Sequence, residues 1–466
     1  MKTLLLSFAL LTCSYHVMGQ DTRTQLSSAY QHSAFALFNA VAQQEIGNVC
    51  FSPLSVQMAL SMVQNGAGGN TLNQLQRTLG TEGFSNEEIG QFNRFLTQAL
   101  TERPPYVEER YQWFPEDAPH AIYDGLYPQC GLANSLWTRP DAQLYDAFVQ
   151  TLRTDYDACV ETVHFDTWEG IEKINAWASE KTHGLIPTIY AEPQLSGLAV
   201  MLANALYFKG AWNVPFYKEN TEKDSFLLND ENYVEVDMMC ARDRYECAIT
   251  PSFRTITLYY GVERDFSMTL FLPIEGTTLP TLTYDDWNAA KSVTNLHINL
   301  YMPRFDVSGN YNLVQILKDL GVTDAFNSMK ADLTKMCEEN RAISSISQFS
   351  KIQVDEIGTE AAAVTVIETA DGIDLTSPED YQDFRIDRPF YFTIQSKKNK
   401  AILLVGRVTK LNGSQGQVNS VQDLPASQIV NTKSLNCKWF DLTGRRLSTP
   451  PAKGVYIRDG KKEMNK

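Results

Sequence analysis

The chain has 466 residues, 43% of them hydrophobic and 20% charged, enough to bury one large core and still carry appendages. A formal net charge of −15 argues against a polyanionic partner, because nucleic acid or heparin needs a clustered basic face and none is visible.

Read from the N-terminus, Lys2, the apolar run Leu4 to Leu11 and the small-residue site Val17-Met18-Gly19 have the layout of a secretory signal peptide over residues 1–19. Cys13 opens a second reading, a lipidated cysteine anchoring the mature chain to a membrane, for which Thr12 is an awkward neighbour. No later segment is apolar enough to span a bilayer. Ser52 ahead of Pro53 predicts a helix start, with Val56, Leu60 and Val63 as its inner stripe and Gly66 as its end. Thr71 with Gln74, and Ser85 with Glu88, have capping-box spacing ahead of Leu72/Leu75/Leu79 and Ile89/Phe92/Leu96, which predicts two more helices. Thr101 to Leu126, rich in proline and tyrosine, reads as a long surface insertion. Leu198 to Phe208 is apolar almost throughout, as a strand covered on both faces is, whereas Leu296 to Tyr301 alternates as a half-exposed strand does. Phe390 to Ile394 and Ala401 to Val408 form a hairpin-like pair around Ser396-Lys397-Lys398-Asn399-Lys400. One main domain over 20–410 is followed by a linker over 411–432, whose polar part runs from Leu411 to Gln428, and by a distinct tail over 433–466.

The most unusual stretch is Glu356-Ile357-Gly358-Thr359-Glu360-Ala361-Ala362-Ala363-Val364-Thr365. From Ile357 to Ser377 there is no proline to break a ladder and no lysine or arginine that would resist burial. With a period of two, Thr359, Ala361, Ala363, Thr365, Ile367 and Thr369 share one face, small at first and then modestly apolar, suited to sliding between two existing strands. The plainer alternative is an exposed surface loop or a short helix through the alanines.

Enzymatic motifs are missing: there is no Gly-x-Ser-x-Gly, no His-Glu-x-x-His and no Gly-x-x-x-x-Gly-Lys. Eight cysteines include no Cys-x-x-Cys pair, so no metal ribbon or redox site is supported. Cys240 and Cys247 could bridge locally, with buried free thiols as the simpler assumption. His16, His32, His120, His164, His183 and His297 never stand at metal-ligand spacing. No cofactor and no metal are expected.

The 356–365 segment resembles the reactive-loop hinge of the serpin family, and the resemblance extends along most of the chain. Asn48-Val49-Cys50-Phe51-Ser52-Pro53-Leu54-Ser55, Gly66-Ala67-Gly68-Gly69-Asn70-Thr71, Leu202 to Trp212, Gly321-Val322-Thr323-Asp324-Ala325-Phe326, Asp387-Arg388-Pro389-Phe390 and Leu404-Val405-Gly406-Arg407-Val408 are similar to serpin blocks in the expected order. The resemblance implies an α+β fold with three β-sheets, about eight or nine helices and an exposed reactive-centre loop. It implies a hinge of Glu356, Gly358, Thr359, Glu360, Ala361, Ala362, Ala363 and Thr365. Ser52, Ser55 and Asn204 correspond to a polar shutter beneath the main sheet, Trp212 to the aromatic where insertion begins, and Gln348 stands where the family's shutter histidine is usual. Heparin-binding members carry a basic cluster around the helix before the second strand of the main sheet; here Glu102, Glu108, Glu109, Glu116 and Asp117 outweigh Arg103 and Arg110, so no heparin binding is expected.

Also implied is suicide inhibition of a serine or cysteine protease by a monomeric inhibitor with no catalytic residues of its own. The loop is attacked as bait and then inserts as a sixth strand into a five-stranded sheet, carrying the acyl-enzyme some 50 Å at roughly 3.4 Å per residue. Family spacing from Gly358 puts the scissile bond at Gly372-Ile373, within a window from Thr369 to Leu375. The lack of a basic residue disfavours trypsin-like enzymes; Thr369, Ala370 and Ile373 suit elastase-like pockets, Leu375 suits chymotrypsin-like or papain-like ones, and Asp371 and Asp374 suit an acid-preferring enzyme. A non-inhibitory binding or structural protein of the same fold is the alternative. Lys438 to Leu447 with Lys453 to Lys462 resembles the β-rich tail of bacterial type IX secretion cargo, which implies a secreted or cell-surface protein.

Overall fold

The computed structural model describes residues 19–101, 127–194, 198–228, 232–274, 278–339, 341–359 and 381–411, together with the backbone of four short strands beyond residue 438. The signal-peptide reading (apart from Gly19), Cys13, the 102–126 insertion, the loop from Glu360 to Asp380, nearly all of the linker, and Cys437 lie outside the described residues. Two units divide the chain, one running to Ser414 and one from Gln415.

The first unit is α+β, with eight helices and fifteen strands among the described residues. A six-stranded sheet has the order β10 (Phe305–Asn312), β11 (Ser345–Val354), β12 (Gly358–Thr359), β4 (Val200–Ala211), β2 (Gln129–Thr138) and β3 (Cys159–Thr162). The strand predicted from Leu198 is β4, which extends three residues past Phe208 and is buried along most of its length. A nine-stranded sheet is organised around β6 (Tyr233–Ile249). The first part of β6 pairs with β5 (Glu222–Leu227), its middle with β9 (Thr294–Pro303), and its last residues with β7 (Phe253–Tyr259). From β7 the order continues through β8 (Phe266–Pro273), β14 (Phe390–Ser396) and β15 (Ala401–Val408) to β1 (Val49–Phe51), while β13 (Gln382–Arg385) lies beyond β9. The described residues of this unit thus form two sheets where the resemblance implied three, because β6 pairs with β5, β9 and β7 and so joins their strands into one ladder. The predicted hairpin is β14–β15, antiparallel with an irregularity at Ile394/Gln395, and Lys400 takes φ 55° in its turn.

Helix α1 (Gln20–Gln44) packs beside α2 (Pro53–Gly66), the helix whose start Ser52 marks: the Ser52 hydroxyl accepts from Ser55 N. The expected single stripe understates its burial. Every residue from Pro53 to Gly66 except Asn65 is buried, because the helix runs through the core and not along its surface. Its polar members are bonded instead of hydrated: Gln57 Nε2 donates to Tyr30 O at 2.6 Å, and Ser61 shares a 2.9 Å bond with Tyr30.

Helix α3 (Gly69–Leu79) departs from the capping-box reading, starting two residues before Thr71 with Gly68 as its cap. Thr71 is buried and accepts from Asp332 N, and Gln74 accepts from the amides of Thr323 and Asp324, so both tie the helix to the 323–332 segment. At α4 (Asn86–Thr101) the box is present, Ser85 N donating to Glu88 and Glu88 N to Ser85 Oγ. Helices α5 (Asp146–Tyr156), α6 (Trp168–Lys181), α7 (Tyr284–Ala289) and α8 (Val314–Asp319) complete the unit. The main core fills the space around α2 between the two sheets. A second cluster under α6 packs Trp137, Trp177 and Phe349 on the opposite face of the six-stranded sheet.

Cys240 and Cys247 cannot bridge: they lie seven residues apart on the one strand β6, roughly 23 Å at about 3.3 Å per residue, and face opposite sides. All six described cysteines are free. In the second unit, β16 (Trp439–Phe440), β17 (Arg446–Leu447), β18 (Gly454–Arg458) and β19 (Lys461–Asn465) form an antiparallel sheet of order β17-β16-β18-β19.

Candidate functional site

The six-stranded sheet is five full strands plus a stub. β4 and β11 pair in parallel from Met201/Ser345 to Leu206/Ser350, and then they part. Into the gap fits β12, antiparallel to both neighbours, with Thr359 opposite Val354 on β11 and Gly210 on β4. A tight turn delivers it. Asp355 N donates to Gly358 O at 3.0 Å, while the Asp355 carboxylate accepts from the amides of Ile357 (2.9 Å) and Gly358 (3.2 Å). Only glycine fits at the crossing, since a Cβ on Gly358 would stand 2.0 Å from Gly210 O and 2.8 Å from Ala211 Cα. We expect Gly358→Ala to expel the stub, at a cost of about 1–3 kcal/mol to the intact chain, seen as faster amide exchange at Thr359; unchanged protection there would contradict the geometry.

Thr359 is buried, and its hydroxyl shares a 2.6 Å bond with Tyr260. Tyr260 lies against Trp212, the ring centroids 4.4 Å apart and 18° from parallel, with Phe208 edge-on at 4.9 Å. Burial pushes the Tyr260 phenol far above its ordinary value, so it meets Thr359 as a neutral hydroxyl. Trp212 in turn holds the hinge backbone, its indole donating to Asp355 O at 2.9 Å and its amide to Ile357 O at 2.8 Å.

Glu356 anchors the turn from the other side. Arg304 Nε donates to both carboxylate oxygens at 2.9 Å, a third bond comes from Arg304 Nη2, and Thr221 adds a 2.5 Å bond. The chain of charge continues from Arg304 to Asp237 (3.9 Å) and from Asp237 to Lys223 (2.6 Å). Burial alone would raise the Glu356 pKa, but the bonds from Arg304 and Thr221 outweigh it and hold the carboxyl below its ordinary 4.5. At Asp355 burial wins over the two amide bonds and lifts the carboxyl above 3.8. The signs are opposite. Glu356 stabilises the hinge above 4.5 and loses that contribution as pH falls through its lowered value. Asp355 contributes below 3.8 and loses its contribution as pH rises through its raised value. The two contributions oppose each other as pH falls through the carboxylate range, so the intact chain should show a shallower stability change there than Glu356 alone would give. Asp355→Asn, which keeps the acceptor, should uncover a steeper loss below 4.5; thermal midpoints across this range test it.

Deeper in the sheet, Asn134, Asn204 and Gln348 stand abreast on β2, β4 and β11. All three are at most 2% exposed. Asn204 Nδ2 donates to Asn134 Oδ1 at 2.6 Å, and Asn134 Nδ2 to Tyr156 O at 2.8 Å. Asn204 Oδ1 and both polar atoms of Gln348 have no partner among the described residues. The hydroxyls of Ser52 and Ser55, buried and 2.9 Å apart, sit at the start of α2.

Of the residues singled out from sequence, Glu356, Gly358, Thr359 and Trp212 therefore meet at the parting of β4 and β11, while Asn204 and Gln348 lie together farther down the same two strands. Glu360, Ala361, Ala362, Ala363, Thr365 and the Gly372-Ile373 bond lie outside the described residues. Sequence reasoning missed Arg304, Thr221, Tyr260, Asp355 and Asn134. A buried Glu356 calls for a cation, but the chain offers 40 lysines and arginines, and only the fold selects Arg304.

A family model described as "Serpin (serine protease inhibitor)" matches residues 28–411. Serpin B6 of Pongo abelii is 30% identical over 397 residues, covering 82% of this chain and 98% of the relative. Serpin-Z2B of Triticum aestivum is 30% identical over 409 residues, covering 83% and 97%. Among solved structures, the thermophilic serpin tengpin in its native state is 25% identical with a TM-score of 0.69, covering 82% of this chain and 94% of that one. Native protease nexin-1 with heparin has a TM-score of 0.70 at 24% identity, covering 84% and 100%, and speaks for the fold alone. With the strand gap, the wedged hinge and a match over most of its length, the chain belongs to the serpin family.

Proposed function

We propose that the chain is a secreted suicide inhibitor of a serine or cysteine protease with an elastase-like, chymotrypsin-like or papain-like pocket. As a serpin it is not an enzyme. The observation that carries the inhibitory reading is the stub Gly358–Thr359, already seated between two strands that remain paired to each other below it. A ladder begun in this way extends by separating β4 from β11, and the residues next in sequence, Ala361, Ala363 and Thr365, are small enough to enter.

In the reaction proposed, the protease nucleophile attacks the carbonyl carbon of Gly372. The peptide bond to Ile373 breaks, the new amine takes a proton, and Gly372 stays esterified to the enzyme (thioesterified for a cysteine protease). Insertion then competes with attack of water on that ester. Continuing both registers of β12 to the far ends of β11 and β4 brings residues 368 and 369 there, a run of about 35 Å. The Gly372-Ile373 bond lies just beyond it, so the acylated end emerges from the sheet with the protease attached.

Export is part of the proposal, supported by the Lys2 to Gly19 layout and the tail beyond residue 432. The functional test is incubation with elastase-like, chymotrypsin-like, papain-like and trypsin-like proteases, followed by non-reducing denaturing gels and the mass of the released fragment. A covalent complex with one of the first three and a fragment starting near Ile373 is expected. Loop cleavage by all of them with no complex would contradict the proposal.

A further inference from the structure

We propose that a cavity beside the start of β2 is a binding site for a small amphipathic carboxylate, an apolar body with one anionic head; the inference does not depend on the inhibitor reading. The cavity, of about 590 Å³, lies where the end of α4, the start of β2, the end of β4, the β7–β8 turn and the β14–β15 turn come together. That volume falls within the usual range of small-molecule sites, about 300–1,000 Å³. Its floor is apolar and buried, made by Leu100, Cys130, Tyr207, Tyr260 and Phe266. The rings of the floor are held by their neighbours. Tyr260 stacks on Trp212 and is bonded to Thr359, Phe266 packs on Phe208 with centroids 5.5 Å apart, and His183 lies 4.6 Å from Tyr207. A floor fixed in this way is formed before a ligand arrives, so binding costs little ordering of side chains.

The rim decides the charge of the head. Arg264 comes from the β7–β8 turn and Lys397 and Lys398 from the β14–β15 turn, and all three are exposed. Two carboxylates stand against them, Glu263 and Asp265. Asp265 is committed to holding the turn, accepting from Ser396 Oγ at 3.2 Å and from Lys398 N at 2.7 Å. The cations are less engaged. Arg264 donates through Nε to Asn213 at 2.8 Å and Lys397 to the Tyr259 hydroxyl at 3.2 Å, whereas both Nη groups of Arg264 and the Lys398 ammonium have no hydrogen-bond partner among the described residues. A carboxylate at the mouth can take two parallel bonds from Arg264 and a third from Lys398 while its apolar body covers the floor. A cationic head would instead meet three like charges against two carboxylates.

The test is calorimetric titration of the full chain with decanoate, decanol and decylammonium, each below its micellar concentration. Decanoate should saturate at one molecule per chain and bind at least about tenfold more tightly than decylammonium. The double variant Arg264→Gln/Lys398→Gln, confined to the exposed rim, should weaken decanoate at least about tenfold, leave decanol unmoved and keep the thermal midpoint of the unliganded chain. Gly131→Leu should abolish binding of both, because a Cβ on this lining residue meets nothing closer than 3.4 Å and the rest of the side chain can enter the cavity. Should that variant not fold, the rim pair decides alone. Equal affinity for decanoate and decylammonium, or decanoate affinity unchanged by the rim pair, would overturn the assignment. So would the lack of any saturable binding, the result expected were residues 102–126 to fill the cavity.

Discussion

Thr359→Arg is expected to turn the proposed inhibitor into a substrate: the loop should be cut at an unchanged rate, no stable complex should form, and the inhibition rate constant should fall at least about 100-fold. Thr359 is 1% exposed, and its hydroxyl is bonded to a tyrosine that is itself stacked on Trp212. A guanidinium there would have to be buried without a carboxylate or else keep the hinge out of the sheet, and the second course is cheaper by several kcal/mol. Cleavage happens in the loop, away from this residue, so acylation proceeds. Only the step after it is slowed, and water wins the competition for the ester. A gel that resolves complex from cleaved chain checks the result, with Thr359→Ser as the control that keeps the hydroxyl; a full yield of complex from the arginine variant would contradict it.

Glu356→Ala is expected to shorten the life of the intact chain as the proposed inhibitor. The carboxylate is 8% exposed and holds the turn through Arg304 and Thr221; without it Arg304 retains Asp237 at 3.9 Å. Because the Arg304 side chain is 36% exposed, the loss is discounted from a fully buried pair to about 1–3 kcal/mol. If that energy restrains the uncut loop from entering the sheet, inhibitory activity should decay roughly 10- to 100-fold faster on incubation at neutral pH. Arg304→Ala should be worse, since it strands a buried carboxylate whereas Glu356→Ala leaves a half-exposed arginine with another partner. Residual activity against time for both variants tests this; equal half-lives for all three chains would contradict it.

How much of the site was legible in the sequence depends on whether its parts are local. The start of the segment was legible because glycine followed by a small β-branched residue suits a strand wedged between two others, and Gly358–Thr359 is that strand; the small residues after it lie outside the described residues. Ser52 and the Ser85/Glu88 box were legible for the same reason, since caps act over three or four residues. Thr71 with Gln74 fits the same spacing yet serves the 323–332 segment, a long-range use that local chemistry cannot show. Arg304 lies 52 residues from Glu356, Tyr260 99 from Thr359, and Asn134 70 from Asn204. None of these pairs is encoded by spacing. The burial of α2 on nearly all sides was missed because its two glutamines and two serines look solvated until their partners are seen.

Whether the intact fold holds energy that loop insertion releases, as the proposed inhibition requires, is tested most directly by nicking the loop with a metalloprotease, which forms no acyl-enzyme, and measuring the thermal midpoint before and after. About ten added ladder hydrogen bonds at roughly 1 kcal/mol each should raise the midpoint by about 10–20 °C for a domain of this size. A nicked chain that melts at the same temperature as the intact one would contradict the account.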